Sequence, residues 1–120
     1  NEARVREAMA ALLGGWGCKV ETAASQVEAL AAVARAGRLP DLVLADLHLD
    51  DGADGLEAVV ALREAWGRIV PAALVTADRD PTLRPRARAR QVELLHKPVK
   101  PASLRALLRL RSAAVGRLTA

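Results

Sequence analysis

Pro40-Asp41-Leu42-Val43-Leu44-Ala45-Asp46 is the stretch of sequence that decides the fold. Its residues 42–45 are apolar without alternation, and the run stops at Asp46. An unbroken apolar run of this length is typical of a strand buried on both faces, as in a parallel sheet covered by helices on both sides. We therefore expect a strand here, with the carboxylate of Asp46 at the edge of a sheet.

Helices and strands are predicted to alternate on both sides of this run. Further strands are expected at 18–22, 71–76 and 92–96, and helices at 3–13, from the cap Ser25 to Gly37, at 56–65, at 80–91 and from 101 onward. Pro81 fits the first turn of the fourth helix, and Pro85 is expected to shorten or distort it. Such alternation implies βαβ crossovers and an open parallel sheet with helices on both faces.

Composition excludes several classes of protein. The 120 residues suit one domain, and 52% hydrophobic with 27% charged residues is the profile of a globular chain. No apolar run approaches the ~20 residues of a membrane span. The single cysteine, Cys18, cannot form an internal disulfide, which favours a reducing, cytoplasmic compartment. Two Trp and no Phe or Tyr exclude the aromatic platforms of single-stranded nucleic-acid binders.

Charge is distributed unevenly along the chain. Residues 1–78 carry 7 basic and 12 acidic side chains, a net of −5, whereas residues 79–120 carry 11 basic and 2 acidic, a net of +9. The basic part is either a docking face for an acidic partner or nucleic acid, or a set of solvated arginines on outward helix faces.

Three predicted strands end in polar residues: Asp46, Thr76 and Lys97. In an open parallel sheet the carboxyl ends of the strands gather the functional groups, so these three should converge on one edge. A carboxylate, a hydroxyl and an ammonium group together suit phosphoryl chemistry, with the carboxylate as acceptor or metal ligand and the other two binding phosphoryl oxygens.

The order and spacing of four motifs resemble the receiver domains of two-component response regulators. The motifs are the 40–46 stretch, Asp54-Gly55-Leu56-Glu57, Leu74-Val75-Thr76-Ala77-Asp78 and Lys97-Pro98. The resemblance spans nearly the whole chain. It implies an α/β, flavodoxin-like (CheY-like) fold, with a doubly wound parallel five-stranded sheet and helices on both faces.

The resemblance also implies roles for the residues at the sheet edge. Asp46 would accept a phosphoryl group from a sensor histidine kinase or a histidine phosphotransfer domain. Asp46 and the backbone carbonyl of His48 would ligate Mg²⁺. Lys97 would pair with the acceptor carboxylate and then with the phosphoryl oxygens, and Thr76 would move towards the acyl phosphate. The domain itself would then only phosphorylate and dephosphorylate itself.

The chain departs from the family pattern in three places. The first strand and its metal-binding acidic pair are missing, so 1–120 is expected to be a receiver lacking its N-terminal strand; the alternative is a receiver that has lost phosphorylation. Asp50 stands where the family often has Pro, in a segment that favours a solvated acidic loop near the Mg²⁺ site. Leu94 stands where many members have an aromatic switch residue, which excludes a Thr–Tyr relay.

The parent protein is expected to be a hybrid sensor histidine kinase with this receiver at its C-terminus. Segment 14–25 and the end of the chain soon after the last helix resemble such receivers. The alternatives are a stand-alone or N-terminal receiver of a response regulator, and a pseudo-receiver that docks a partner without phosphorylation. Nucleic acid is not an expected partner, and no membrane contact by this domain is expected.

Overall fold

The computed structural model describes residues 2–49 and 52–115. Its elements are α1 (Glu2–Gly15), α2 (Gln26–Ala36), β1 (Val43–Asp46), α3 (Gly55–Trp66), β2 (Ala72–Thr76), α4 (Leu83–Ala89), β3 (Val92–His96) and α5 (Pro101–Val115). The described strands form one parallel sheet in the order β1-β2-β3. The α/β, flavodoxin-like fold with a parallel sheet is therefore confirmed, while Asp50 and Asp51 of the predicted acidic loop lie outside the described residues.

Alternate residues of the central strand β2 point to opposite faces of the sheet. Ala72 and Leu74 are buried in a cluster with side chains of α3 and α4. Ala73 is buried in a second cluster with Leu13 of α1 and Leu104 of α5. A strand buried on both sides needs apolar residues at every position, which is why β2 shows no alternation in its sequence.

Helix ends follow local capping rules. The Ser25 hydroxyl accepts a hydrogen bond from the Glu28 N–H at 3.2 Å, and the Glu28 carboxylate accepts from the Ala24 N–H at 3.3 Å. These two bonds form a variant of the capping box at the start of α2, in which the glutamate accepts from the N–H of Ala24 and not from that of the cap residue Ser25. Gly37 ends the same helix with a left-handed φ of 74°, a conformation that favours glycine.

The predicted strand at 18–22 is wrong. Cys18 is buried and Val20 is partly buried against the core cluster of α1 and α5, so the alternation of this segment reflects packing. A β-strand also needs a neighbouring strand to satisfy its backbone groups. Among the described residues no strand lies beside 18–22, so the segment forms no ladder.

A cavity of about 500 Å³ is lined by this extended segment, by β1 and by side chains of α1, α2 and α3. β1 presents an open edge to it. The N–H groups of Val43 and Leu47 donate to Pro71 and Val75 on the β2 side. Because successive N–H groups of a strand alternate in direction, those of Leu44 and Asp46 point away from β2.

Helix α4 begins later than the predicted residue 80. The Asp80 carboxylate accepts hydrogen bonds from the Thr82 N–H and hydroxyl, both at 2.9 Å, which fixes a turn before the helix. Pro81 lies in this turn. Pro85 falls in the first turn of α4, where an N–H has no intrahelical partner, so it removes no helical hydrogen bond. Helix α4 spans 7 residues and is shorter than predicted, but the turn at Asp80 accounts for its late start and Pro85 does not.

Candidate functional site

The structure brings Asp46 and Lys97 into direct contact. Asp46 is the last residue of β1, and Lys97 follows the last residue of β3. The Lys97 Nζ atom lies 2.7 Å from Asp46 Oδ2. About a quarter of each side chain is exposed, 23% for Lys97 and 25% for Asp46, so the pair is partly shielded yet reachable from solvent. A charge-assisted hydrogen bond this short fixes one carboxylate oxygen of Asp46.

Thr76 lies on β2, between the two strands that carry this pair. Its main-chain carbonyl accepts from the Lys97 N–H at 2.8 Å, which holds Lys97 at the sheet edge. The side chain is buried, with 1% exposure. Its hydroxyl accepts a hydrogen bond from the Asp78 N–H at 3.0 Å. Thr76 therefore stands at the predicted edge, with its hydroxyl bonded to the loop that follows β2.

His48 lies in the loop after β1, and its backbone faces Asp54 in an isolated antiparallel bridge. The hydrogen bonds of this bridge come from its neighbours: Gly55 N–H donates to Leu47 at 2.6 Å, and Leu49 N–H donates to Ala53 at 3.1 Å. In such a pair the N–H and C=O of His48 point outward. No described backbone N–H donates to its carbonyl. The imidazole is 77% exposed, with Nε2 3.9 Å from Asp78 Oδ2.

The oxygen donors of this edge can be compared with the needs of Mg²⁺. Within residues 2–49 and 52–115, no three His, Cys, Asp or Glu side chains cluster closely enough to hold a metal. Asp46 offers one carboxylate and His48 one outward carbonyl. Mg²⁺ commonly binds through one or two carboxylates and keeps water and phosphate oxygens for the rest of its shell. The donor types present, a carboxylate and a backbone carbonyl, are ones that Mg²⁺ accepts.

Asp54 has two roles, and only one of them could be read from the sequence. Its Oδ1 accepts hydrogen bonds from the N–H groups of Leu56, at 2.8 Å, and Glu57, at 3.3 Å, and so caps α3. Its Oδ2 accepts from Arg86 Nη2 of α4 at 3.1 Å. The spacing of Asp54 and Glu57 before an apolar run was a readable capping signal. The arginine, 32 residues further on, was not predictable from local sequence.

The environment of Asp54 lowers the pKa of its carboxyl group. Burial alone would raise this pKa, but hydrogen bonds from Arg86 and from the backbone of Glu57 and Leu56, with the charge of Arg86, outweigh that effect. The pKa therefore lies below its ordinary value, so the ionised carboxylate stabilises the folded state.

The stability difference between wild type and Asp54→Asn should consequently depend on pH. A group whose pKa is depressed by folding stabilises the protein above its unfolded pKa, about 4, and loses this effect as pH falls through the folded value. At pH 7 we expect wild type to be more stable by about 0.5–1 kcal/mol, because Asn keeps the cap but loses the charge. Urea unfolding should show the difference shrinking below about pH 4.

Glu64→Gln, at an exposed acid of the same helix, is the matched control and should change stability little at any pH. If wild type stays more stable than Asp54→Asn by the same free energy down to pH 2, the lowered pKa of Asp54 would be contradicted.

Comparison with known proteins places this geometry in a family. The family model for the response regulator receiver domain matches residues 1–109. The receiver domain of NtrX from Brucella abortus is 24% identical, with a TM-score of 0.79 over 92% of this chain and 91% of that one. The Vibrio cholerae chemotaxis protein CheY4 is 28% identical, with a TM-score of 0.76 over 89% of this chain and 88% of that one.

A CheY-like receiver domain protein from Methanospirillum hungatei is 21% identical, with a TM-score of 0.77 over 93% of this chain and 87% of that one. No curated protein matches the chain. The match to the family model covers most of the sequence, so the chain belongs to the response regulator receiver domain family.

Membership in this family connects the chain with phosphorylation-dependent two-component signalling, in which receiver domains interact with kinases or phosphotransfer partners. The domain also has no helix, among those described, with the length and apolar character needed to cross a bilayer.

Proposed function

We propose that this domain is a phosphorylation switch in which Asp46 accepts a phosphoryl group from a phosphohistidine. The observation that carries the proposal is the 2.7 Å contact between Lys97 Nζ and Asp46 Oδ2 at the carboxyl edge of the sheet. A pseudo-receiver used only for docking would not need an ammonium group beside a partly exposed carboxylate, so this contact favours the reactive alternative.

The chemistry assigned to these residues is an in-line transfer. One oxygen of Asp46 attacks phosphorus, the P–N bond of the donor breaks, and its electron pair returns to the imidazole nitrogen. The product is an acyl phosphate on Asp46, which water later hydrolyses. Lys97 stabilises the negative charge that develops on the transferred oxygens, since both reactants are anionic. Lys97 binds Oδ2 of Asp46, and we assign Oδ1 as the attacking oxygen.

Thr76 and His48 complete the proposed site. The Thr76 hydroxyl would leave Asp78 and bind a phosphoryl oxygen. Asp46 and the His48 carbonyl would hold Mg²⁺. The ion supplies charge neutralisation of the phosphoryl oxygens when it is bound.

The donor in this proposal is a sensor histidine kinase or a histidine phosphotransfer domain. As parent we propose a hybrid sensor histidine kinase, supported by the resemblance of segment 14–25 to C-terminal receivers; the alternative is a stand-alone response regulator. We place the domain in the cytoplasm, supported by Cys18, a free buried thiol of the kind that persists in reducing compartments.

We also propose that the sheet of the domain is completed by a further strand. Three observations support this: the open edge of β1, the extended segment 18–22 without a ladder, and the cavity of about 500 Å³ that both line. An added parallel strand there would pair with the outward N–H groups of Leu44 and Asp46. Its carboxyl end would reach the edge where Asp46 stands, in position to supply a second carboxylate for Mg²⁺.

A small-molecule phosphodonor tests the proposal directly. The full-length protein incubated with acetyl phosphate and Mg²⁺ should gain one phosphoryl group in intact-mass spectrometry. Removal of the divalent ion with EDTA should slow the gain by at least about tenfold, because the charge on the transferred oxygens is then neutralised by Lys97 alone. No gain of mass at any Mg²⁺ concentration would reject the switch and favour a pseudo-receiver that only docks a partner.

A further inference from the structure

Helix α3 begins directly against the main chain of the proposed acceptor. The Gly55 N–H donates to the Leu47 carbonyl at 2.6 Å. A Cβ atom on residue 55 would overlap the carbonyl oxygen of Asp46 and lie 2.8 Å from its carbonyl carbon. Only a glycine fits this approach, so a displacement of the start of α3 must displace the backbone of Asp46 and Leu47 as well.

Asp54 holds that start in place and joins it to α4. One carboxylate oxygen, Oδ1, caps α3 through the Leu56 and Glu57 N–H groups. The other, Oδ2, binds Arg86 of α4. The two side chains are 33% and 43% exposed. A single carboxylate thus connects the helix that touches the acceptor with the helix that follows β2.

Helix α4 has a polar anchor at its C-terminal end, where Arg63 of α3 donates hydrogen bonds to the carbonyls of Arg90 and Gln91. Its N-terminal end is held less firmly. Leu83 and Ala87 are its buried residues, and its cap residue Thr82 makes no side-chain capping bond. Arg84 and Arg88 are exposed, and the described residues provide no acidic side chain as an ion-pair partner for either. The Arg86–Asp54 bond connects this end of α4 to the loop that follows Asp46 (the acceptor loop, residues 47–54).

We propose that Arg86 is a positioning residue for phosphoryl transfer: through Asp54 and Gly55 it fixes the main chain of Asp46, and so connects the acceptor to α4. This inference rests on the proposed function of Asp46. Because coupling between two sites is reciprocal, a change of the acceptor on phosphorylation alters the Arg86–Asp54 contact by the same free energy.

Kinetics of phosphorylation by acetyl phosphate test the positioning role. We expect Arg86→Gln to lower the rate constant at saturating donor about threefold to tenfold, since small displacements of a reacting group reduce rates disproportionately. The donor concentration at half-saturation should stay within about twofold, because Arg86 does not touch the donor. Arg86→Lys keeps the charge and should recover part of the rate.

Arg84→Gln is the matched control, an exposed arginine of the same helix with the same change of charge, and its rate constant should equal that of wild type. The thermal unfolding midpoint of each variant should be measured, so that all rates are compared at a temperature where every variant is folded. A lower rate then reflects the position of the acceptor and not a loss of stability. Equal rate constants for Arg86→Gln and wild type, or equal losses in Arg86→Gln and Arg84→Gln, would overturn the inference.

The amide resonances of Leu47 and Gly55 give a second readout that needs no phosphorylation. They should shift in ¹⁵N correlation spectra of Arg86→Gln and stay unchanged in Arg84→Gln. Unchanged resonances in both variants would overturn the inference even if wild type is phosphorylated. If wild type takes no phosphoryl group, the proposed function fails, and these resonances still decide whether Arg86 positions the acceptor loop.

Discussion

Asp46→Asn should reduce phosphorylation by acetyl phosphate at least about 100-fold, because an amide cannot replace the carboxylate as nucleophile. The substitution keeps the size of the side chain, so the strand end and its packing should remain. Intact-mass spectrometry over time measures the effect. Lys97→Met should leave the nucleophile but lower the rate about tenfold to 100-fold, because the charge on the transferred oxygens loses its ammonium partner.

Asp41→Asn is the matched control, since Asp41 is a carboxylate that lies just before β1, at the opposite end of the strand from Asp46. It should be phosphorylated at the wild-type rate. Circular dichroism should show all three variants folded at the assay temperature. If Asp46→Asn is phosphorylated at the wild-type rate, Asp46 is not the acceptor.

Gly55→Ala should be the most damaging single-methyl substitution at the site. The added Cβ would overlap the Asp46 carbonyl oxygen and approach the Leu47 Cα at 3.1 Å. These neighbours are main-chain atoms that cannot rotate away, so the start of α3 or the end of β1 must move. We expect a loss of about 1–3 kcal/mol in the free energy of unfolding. Displacement of the acceptor should also slow phosphorylation at least about tenfold.

Gly14→Ala provides the matched control for this substitution. Gly14 lies in α1, and a Cβ there would meet no atom within 4 Å. Replacing a helical glycine by alanine should be neutral or stabilise the protein by up to about 1 kcal/mol, with phosphorylation unchanged. Equal stability of Gly55→Ala and wild type in urea unfolding would contradict the steric account of the α3 start.

The convergence of Asp46 and Lys97 could be predicted from sequence because it follows from the fold. Parallel strands joined by helical crossovers end at the same edge, and unbroken apolar runs followed by a polar residue mark those ends. The register of the strands brings these ends together, since Asp46 pairs with Val75 and Thr76 pairs with His96. The roles of these residues in phosphoryl transfer stay predictions.

Other features depend on tertiary partners that no local pattern records. Residues 18–22 alternate as a strand does, but a ladder requires a neighbour, and the described chain has none beside them. The start of α4 was misplaced because the Asp80 carboxylate binds Thr82 and makes a turn where proline suggested a helix. The contact between Asp54 and Arg86 joins residues far apart in sequence, so only the folded chain reveals it.

Identification of the phosphorylated residue tests the central claim most directly. Sodium borohydride reduces an acyl phosphate on aspartate to homoserine, so the protein can be phosphorylated with acetyl phosphate, reduced, digested and sequenced by tandem mass spectrometry. We predict homoserine at position 46 and at no other aspartate. Homoserine at another aspartate, or a phosphoryl group retained on His48 or His96, would contradict the assignment of Asp46 as the acceptor.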